Sequence, residues 1–134
     1  MDHPKTNPHA IWIAQLRIST LFLYRDQRFK GYCLLSFDDL DATNFDLLSD
    51  EEYEAFMLDL RTASKAIRTV VQPDHMNYEL LGNIDPHLHW HIIPRYKTDP
   101  RWGYPIWEGR KTEWEILKDE EYQHLIEQIQ AQLK

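Results

Sequence analysis

Three histidines alternate with apolar residues in the segment HLHWHII, at His87, His89 and His91. On a β-strand, side chains two positions apart point to the same face of the sheet. The three imidazoles would then form a row with roughly 6–7 Å between neighbours, while the apolar residues between them face a core. A helix would place residues two apart on different sides. The pattern therefore predicts a strand over residues 87–93 with one chemical face and one packing face.

Three kinds of role suit such a row, and the residues alone leave them open. Histidines can be structural or solvated, although three in strict alternation are seldom a chance arrangement. A metal site is the second interpretation, because histidine is the commonest metal ligand. Three collinear imidazoles do not easily converge on one ion at about 2.0–2.1 Å from each nitrogen. A pair of them would need a third ligand from elsewhere, such as His75 or His124.

Nucleophilic catalysis on a phosphate is the third interpretation. An ordinary imidazole has a pKa of about 6.5, so much of it is neutral at physiological pH and able to attack phosphorus. His89 has a histidine on each side, so one neighbour can orient it while the other contacts the phosphate or the departing oxygen. The turn at residues 82–86 would add hydrogen-bond donors for the phosphate oxygens.

The strands that must position this row follow from apolar runs. Residues 16–24 and 32–37 are predicted strands, close enough along the chain to form a hairpin. Residues 76–81 are a third predicted strand, which we expect to pair with the histidine strand across the turn.

Two helices complete the predicted elements. Ser49 and Glu52 have the spacing of a capping box and begin an amphipathic helix of about six turns, which Pro73 ends. A final helix is predicted to begin at Asp119 or a neighbour. Its apolar face comprises Tyr122, Leu125, Ile126, Ile129 and Leu133.

Length and composition narrow the class of protein. The chain has 134 residues, a formal net charge of −7 and a single cysteine. The length suggests one domain, and the acidic balance argues against nonspecific binding to nucleic acid. One cysteine allows neither an internal disulfide nor a Cys-x-x-Cys zinc site. The N-terminus lacks the apolar core of a signal peptide and no run has membrane-spanning length, so we expect a cytoplasmic protein with no membrane partner.

The histidine segment resembles the signature of the histidine triad (HIT) family, in which three histidines alternate with apolar residues and two apolar residues follow. Residues 87–93 match this signature at every position. The flanks agree, since Gly82 lies five residues before the first histidine, Pro94-Arg95 follows the motif, and Gly31 lies between the two early strands.

The resemblance covers residues 14–96, and residues 97–134 are similar to the C-terminal extension of small bacterial HIT proteins. It implies a single HIT domain over residues 1–134 with an α+β fold. Such a fold has an antiparallel sheet of about five strands, one long central helix and a C-terminal helix. The resemblance also implies that the protein forms a homodimer.

The resemblance also implies a reaction and a role for each histidine. Family members are nucleotide hydrolases or nucleotidyl transferases, in which the middle histidine attacks the α-phosphorus and forms a nucleotidyl-histidine. By position, His89 would be the nucleophile. His91 would contact phosphate or the leaving group, and His87 would orient and support the nucleophile.

Three further residues are implied as substrate-binding, and several positions, Tyr24, Tyr32 and Ile84, depart from the family pattern. Asn83 falls where many members carry a glutamine, Asn77 is near a phosphate-binding asparagine, and Gly82 matches the family's glycine. Tyr32 follows Gly31 where better-known members often have a fourth histidine, and Ile84 occupies a place that commonly holds serine or threonine. These departures bear on substrate choice and turnover rate.

We therefore predict an enzyme that acts on dinucleoside polyphosphates, nucleoside phosphoramidates or similar nucleotide conjugates. No cofactor is implied as a requirement, and a divalent cation could arrive with the substrate. The first alternative is a nucleotide-binding HIT module without turnover. The second, from another class, is a metal-dependent enzyme built on the histidines.

Overall fold

The computed structural model describes residues 3–108 and 113–134. Residues 109–112, within the predicted extension, and the first two residues of the chain lie outside the described residues. Five strands form one antiparallel sheet in the order β1-β2-β3-β5-β4. Their bounds are β1 Ala10–Gln15, β2 Ser19–Tyr24, β3 Cys33–Phe37, β4 His75–Glu79 and β5 His89–Arg95.

The first strand was missed by the sequence prediction, and the strand expected over residues 16–24 begins three residues late. Residues 16–18 form a turn between β1 and β2, and this turn is tied to the long helix by the buried carboxylate of Asp59. That carboxylate accepts backbone hydrogen bonds from Arg17 at 3.1 Å and Ile18 at 2.9 Å, and a hydroxyl hydrogen bond from Ser19 at 2.7 Å. Such charge-assisted bonds compensate for burying the carboxylate.

The long helix, α1 (Asp50–Val71), begins at the predicted capping box. The backbone N–H of Glu52 donates to the hydroxyl of Ser49, and the carboxylate of Glu52 accepts from the backbone N–H of Ser49. The helix ends at Gln72, which adopts a left-handed φ of 49° directly before Pro73. Both ends therefore follow from local sequence, as predicted.

The second helix, α2 (Asp119–Leu133), follows Lys118, whose backbone N–H donates to the carboxylate of Glu121. The helix was predicted to begin at Asp119 or a neighbour, and Asp119 is its first residue, with the neighbouring Lys118 as the cap. Four residues of the predicted apolar face are buried and Leu133 is partly buried. Within the described residues, neither helix is long and apolar enough to cross a membrane.

Both helices share one core with one face of the sheet. Ile11, Leu21 and Ile92 from the strands pack in the same buried cluster as Phe56 of α1 and Ile126 of α2. Strand side chains alternate between faces, so the histidines of β5 lie on the face away from this cluster. The expected α+β fold is confirmed, with helices on one face of the sheet and the histidine row on the other.

A smaller buried cluster covers part of the histidine face. Phe29, Tyr32 and Ile93 form it, with Ile106 packed against it. Ile106 belongs to the segment that follows β5, so this segment folds back over the C-terminal end of the histidine strand. The chain beyond β5 thus contributes to the face on which the histidines lie.

Candidate active site

The histidine strand is shorter at its start than predicted. β5 begins at His89, and His87 precedes it. The backbone of Leu88 donates to the carbonyl of Ala42 at 3.0 Å and accepts from the N–H of Phe37 at 2.9 Å. Leu88 is therefore bonded on one side to β3 and on the other to the loop at Ala42. The rings of His87 and His89 lie 4.9 Å apart between centroids, the same spacing as between His89 and His91 within β5.

His89 is fixed as one tautomer by the peptide that precedes β5. Its Nδ1 lies 2.8 Å from the backbone carbonyl oxygen of His87. A carbonyl only accepts hydrogen bonds, so Nδ1 must carry the hydrogen. In the neutral ring, Nε2 then keeps its lone pair, which is the state that a nucleophile needs.

His87 is held at both ring nitrogens. Its Nδ1 lies 2.7 Å from the carboxylate of Asp85, and its Nε2 lies 3.0 Å from the hydroxyl of Ser36. The hydrogen bond with His87 lowers the pKa of Asp85, so this carboxylate stays ionised to a lower pH. Because the carboxylate accepts, His87 donates through Nδ1. The ring is thereby clamped, which also holds the carbonyl that orients His89.

His91 faces a different neighbour. Its Nδ1 shares a hydrogen bond of 2.6 Å with the hydroxyl of Tyr32. Burial, and then the charge of His89, lower the pKa of His91 to about 4. Burial also raises the pKa of Tyr32 well above its usual range. Both groups are therefore neutral at physiological pH, and His91 is available as a neutral contact 4.9 Å from the ring of His89.

The segment after β5 reaches the site through Trp107. Its indole stands perpendicular to the ring of His91, with centroids 5.7 Å apart and an interplanar angle of 88°. The indole N–H donates to the carboxylate of Glu79, which is the cross-strand partner of His91 on β4. Trp114 instead packs against Tyr24, at 5.1 Å between centroids. Trp107 is therefore the tryptophan beside the histidine row.

A buried arginine anchors this segment. Arg95 donates to the carboxylate of Asp99 at 2.7 Å, to the side-chain oxygen of Asn77 at 2.7 Å, and to the carbonyls of Tyr104 at 2.8 Å and Arg101 at 2.6 Å. Its side chain is only 2% exposed. One guanidinium thus ties β5, β4 and the following loop together.

The predicted substrate-binding residues fall in two places. Gly82 opens the loop before His87 with a left-handed φ of 69°, a conformation that favours glycine. Asn83 is exposed in this loop, as is Ile84, which is 100% exposed. Asn77 lies on the histidine face of β4, but its side-chain oxygen is taken by Arg95. The loop residues are thus linked to the row through Asp85, whereas Asn77 belongs to the arginine anchor.

Sequence reasoning did not find Asp85, Ser36, Glu79 or Trp107 as site residues. Asp85 had a local signal, since an acidic residue two positions before a histidine can reach its ring. The other three come to the site through strand register or through the fold-back of the chain, which no short motif encodes.

In the described part of the chain, no three histidine, cysteine, aspartate or glutamate side chains are placed to hold one ion. His75, considered as a further ligand, is exposed on β4, and His124 is exposed on α2.

Sheet, helices and histidine row together define a protein of the histidine triad type. The sequence model of the HIT domain matches residues 6–98, well over half of the chain, so the chain belongs to the HIT family. No curated protein sequence matches the chain significantly.

Solved structures of bacterial histidine triad proteins share the fold. A protein from Sinorhizobium meliloti has 24% identity and a TM-score of 0.85, with 93% of this chain and 90% of that chain covered. One from Bradyrhizobium japonicum has 25% identity and a TM-score of 0.85, covering 98% and 96%. A hypothetical histidine triad nucleotide-binding protein from Sulfolobus tokodaii has 18% identity and a TM-score of 0.71, covering 92% and 83%.

Proposed function

We propose that this protein is a nucleotide hydrolase or nucleotidyl transferase in which His89 attacks the α-phosphorus of its substrate. One observation carries the proposal. The carbonyl of His87 accepts from Nδ1 of His89, which leaves the lone pair of Nε2 for attack. Membership of the HIT family supports the same reaction class. We place the reaction in the cytoplasm.

The reaction has two steps. In the first, Nε2 of His89 forms a bond to the α-phosphorus, and the bond from phosphorus to the leaving group breaks. In the second, water or another acceptor attacks phosphorus, the bond to Nε2 breaks with its electron pair returning to Nε2, and the proton of the acceptor passes to solvent. His91 contacts the phosphate or the leaving oxygen, while Asp85 and Ser36 hold His87 behind the nucleophile.

The substrates proposed are dinucleoside polyphosphates, nucleoside phosphoramidates or related nucleotide conjugates. The exposed loop at residues 82–86 would bind phosphate oxygens through Gly82 and Asn83, with Asn77 at the far edge of the site. The protein itself supplies both nucleophile and hydrogen-bond donors, so the proposal includes no bound cofactor. A divalent cation would enter only with the phosphates of the substrate.

Mass spectrometry of protein quenched with alkaline denaturant tests the nucleophile directly, because the phosphorus–nitrogen bond of a nucleotidyl-histidine is labile in acid. Wild-type protein mixed with a diadenosine polyphosphate or an adenosine phosphoramidate is expected to gain one adenylyl group, whereas His89→Ala gains none. His124→Ala, an exposed histidine on α2, is the matched control and should behave like wild type. Wild-type turnover by His89→Ala would exclude nucleophilic catalysis by this residue.

A nucleotide-binding module without turnover is the second candidate. The observation that favours it is Tyr32, which occupies a position where better-known family members often have a histidine. In this case calorimetry would detect nucleotide binding, while quenched wild-type protein would show neither adduct nor product. The same pair of measurements therefore separates the two candidates.

We also propose that the protein forms a homodimer through the β4 edge and α1. A cleft of about 820 Å³ lies there, lined among others by Tyr53, Leu58 and Tyr78. The indole nitrogen of Trp90 is buried there without a hydrogen-bond partner among the described residues. Both features suit a surface completed by a second copy.

Light scattering after size exclusion tests the dimer. Tyr78→Asp should shift the mass toward the monomer, while Leu40→Asp, which also adds a charge at an exposed apolar residue but lies in a loop outside this cleft, should not. A wild-type protein that remains monomeric at high micromolar concentration would contradict the proposal.

A further inference from the structure

The hydroxyl of Tyr32 is buried and has one hydrogen-bond partner. The residue is 1% exposed and lies in the small buried cluster on the histidine face. Its hydroxyl lies 2.6 Å from Nδ1 of His91, and the described residues offer it no other hydrogen bond. The ring of Tyr24 packs against it with centroids 4.7 Å apart, which restricts its movement.

This single contact decides where the hydrogens lie. A phenol carries one hydrogen, and a buried donor without an acceptor is costly. Nδ1 of His91 is the acceptor that the structure offers, so the hydrogen of Tyr32 points to Nδ1. A nitrogen that accepts carries no hydrogen of its own. The neutral ring of His91 then carries its hydrogen on Nε2.

We propose that Tyr32 is a positioning residue that holds His91 as the Nε2–H tautomer, so that this ring donates a hydrogen bond to the α-phosphate or to the leaving oxygen. His89 is held as the opposite tautomer by the carbonyl of His87. Two rings with centroids 4.9 Å apart thus present opposite groups, a lone pair on one and an N–H on the other.

The paired tautomers fit attack on a phosphate. The lone pair of His89 Nε2 forms the new bond, while the N–H of His91 balances charge on oxygen as the old bond breaks. The alternative tautomer of His91 would leave the hydrogen of Tyr32 without an acceptor and turn a lone pair toward phosphate oxygens. The catalytic part of this inference rests on the proposed function, but the tautomer itself does not.

Nuclear magnetic resonance of protein labelled with ¹⁵N-histidine tests the tautomer without substrate. Long-range proton–nitrogen correlations at neutral pH should show hydrogen on Nδ1 of His89 and on Nε2 of His91. Tyr32→Phe should abolish the preference at His91. Tyr96→Phe removes a phenol hydrogen bond of the same length, 2.6 Å, away from the row and should leave both rings unchanged.

Two spectral outcomes would overturn the proposal. One is a hydrogen on Nδ1 of His91 in the wild-type protein. The other is an unchanged Nε2–H tautomer in Tyr32→Phe. The titratable groups that face His91 are His89, Tyr32 and the cross-strand Glu79. Because only a neutral imidazole has a defined tautomer, the spectra should be recorded well above the pKa of His91.

Kinetics test the catalytic consequence. Tyr32→Phe should lower kcat about 10–100-fold, less than the roughly 10²–10³-fold lost when a charge-stabilising donor is removed outright, with a smaller change in KM. Tyr32→His restores an N–H donor at this position and should recover part of the loss, which also covers the case in which Tyr32→Phe is unstable. Equal kcat values for Tyr32→Phe and wild type would refute the positioning role. Absence of turnover by wild type would count against the proposed function, while the spectra would still decide the tautomer.

Discussion

Arg95→Ala should destabilise the protein strongly, because it removes the anchor of the segment after β5. The guanidinium is 2% exposed and its partner carboxylate, on Asp99, is 4% exposed. Removing one partner of a buried ion pair typically costs about 3–5 kcal/mol, since the remaining charge is left unpaired. Two backbone carbonyls and the side chain of Asn77 would lose their donor as well.

The expected cost is about 3–5 kcal/mol rather than the sum of four charged hydrogen bonds, because the bonds share one group and the loop can relax. Urea unfolding followed by circular dichroism measures it. With a slope typical of small domains, the midpoint should fall by about 2 M. In a double-mutant cycle with Asp99→Ala, the two changes should be non-additive by about 2–3 kcal/mol.

Arg95→Met is the matched variant, because it keeps the stem of the side chain and its packing while removing the charge. It should lose nearly as much stability as Arg95→Ala, which assigns the effect to the hydrogen bonds. A loss below about 1 kcal/mol for both variants, at an unchanged urea slope, would refute this view of the buried pair.

Three further predictions concern stability and reactivity. The pKa of His91 is about 4 in the folded protein and about 6.5 when unfolded, so the unfolded chain binds more protons between these values. The free energy of unfolding should therefore fall by about 1–2 kcal/mol as the pH drops from 6.5 to 4, a value discounted for the partial exposure of His91. Urea unfolding of His91→Gln should show a weaker dependence of this free energy on pH. Burial raises the pKa of the Cys33 thiol, so iodoacetamide at about pH 8 should modify it only after unfolding, as mass spectrometry would show. Gly31 has a φ of 93°, and a Cβ there would lie 3.0 Å from Val71. Gly31→Ala should therefore destabilise the protein by about 1–3 kcal/mol and lower its melting temperature. An unchanged melting temperature would contradict this.

The parts of the fold that were predictable are those encoded by neighbouring residues. The capping box at Ser49 and Glu52 and the stop before Pro73 bounded α1 correctly, because both signals act within one helical turn. β1 was missed although its run of apolar residues is of the same kind that predicted β2 and β3. Ile11 and Ile13 enter the core, while Trp12 is covered by the stacked ring of His3 at 4.1 Å. This strand was therefore also predictable from the sequence.

The candidate site also has a part that neighbouring residues encode and a part that they do not. Period-two spacing identified the row of histidines, and the resemblance to the HIT family implied a role for each of them. Spacing did not reveal that His87 leaves the strand, since this depends on the contacts of Leu88 with Phe37 and Ala42. Tyr32 was noted only as a departure from the family pattern. Its contact with His91 depends on the pairing of β3 with β5, which short-range sequence does not specify.

The strand that carries the histidines also carries Arg95, which holds the loop after β5. The histidine motif and this loop are separate stretches of sequence, so one can be substituted without altering the other. The loop fixed by Arg95 brings Trp107 beside His91, yet none of its residues belongs to the histidine motif. Substitutions between residues 100 and 107 can therefore change the side chains beside His91 while the sequence of β5 stays the same. Variants made there, with Arg95 and Asp99 unchanged, would test whether this rim selects the leaving group in the proposed reaction.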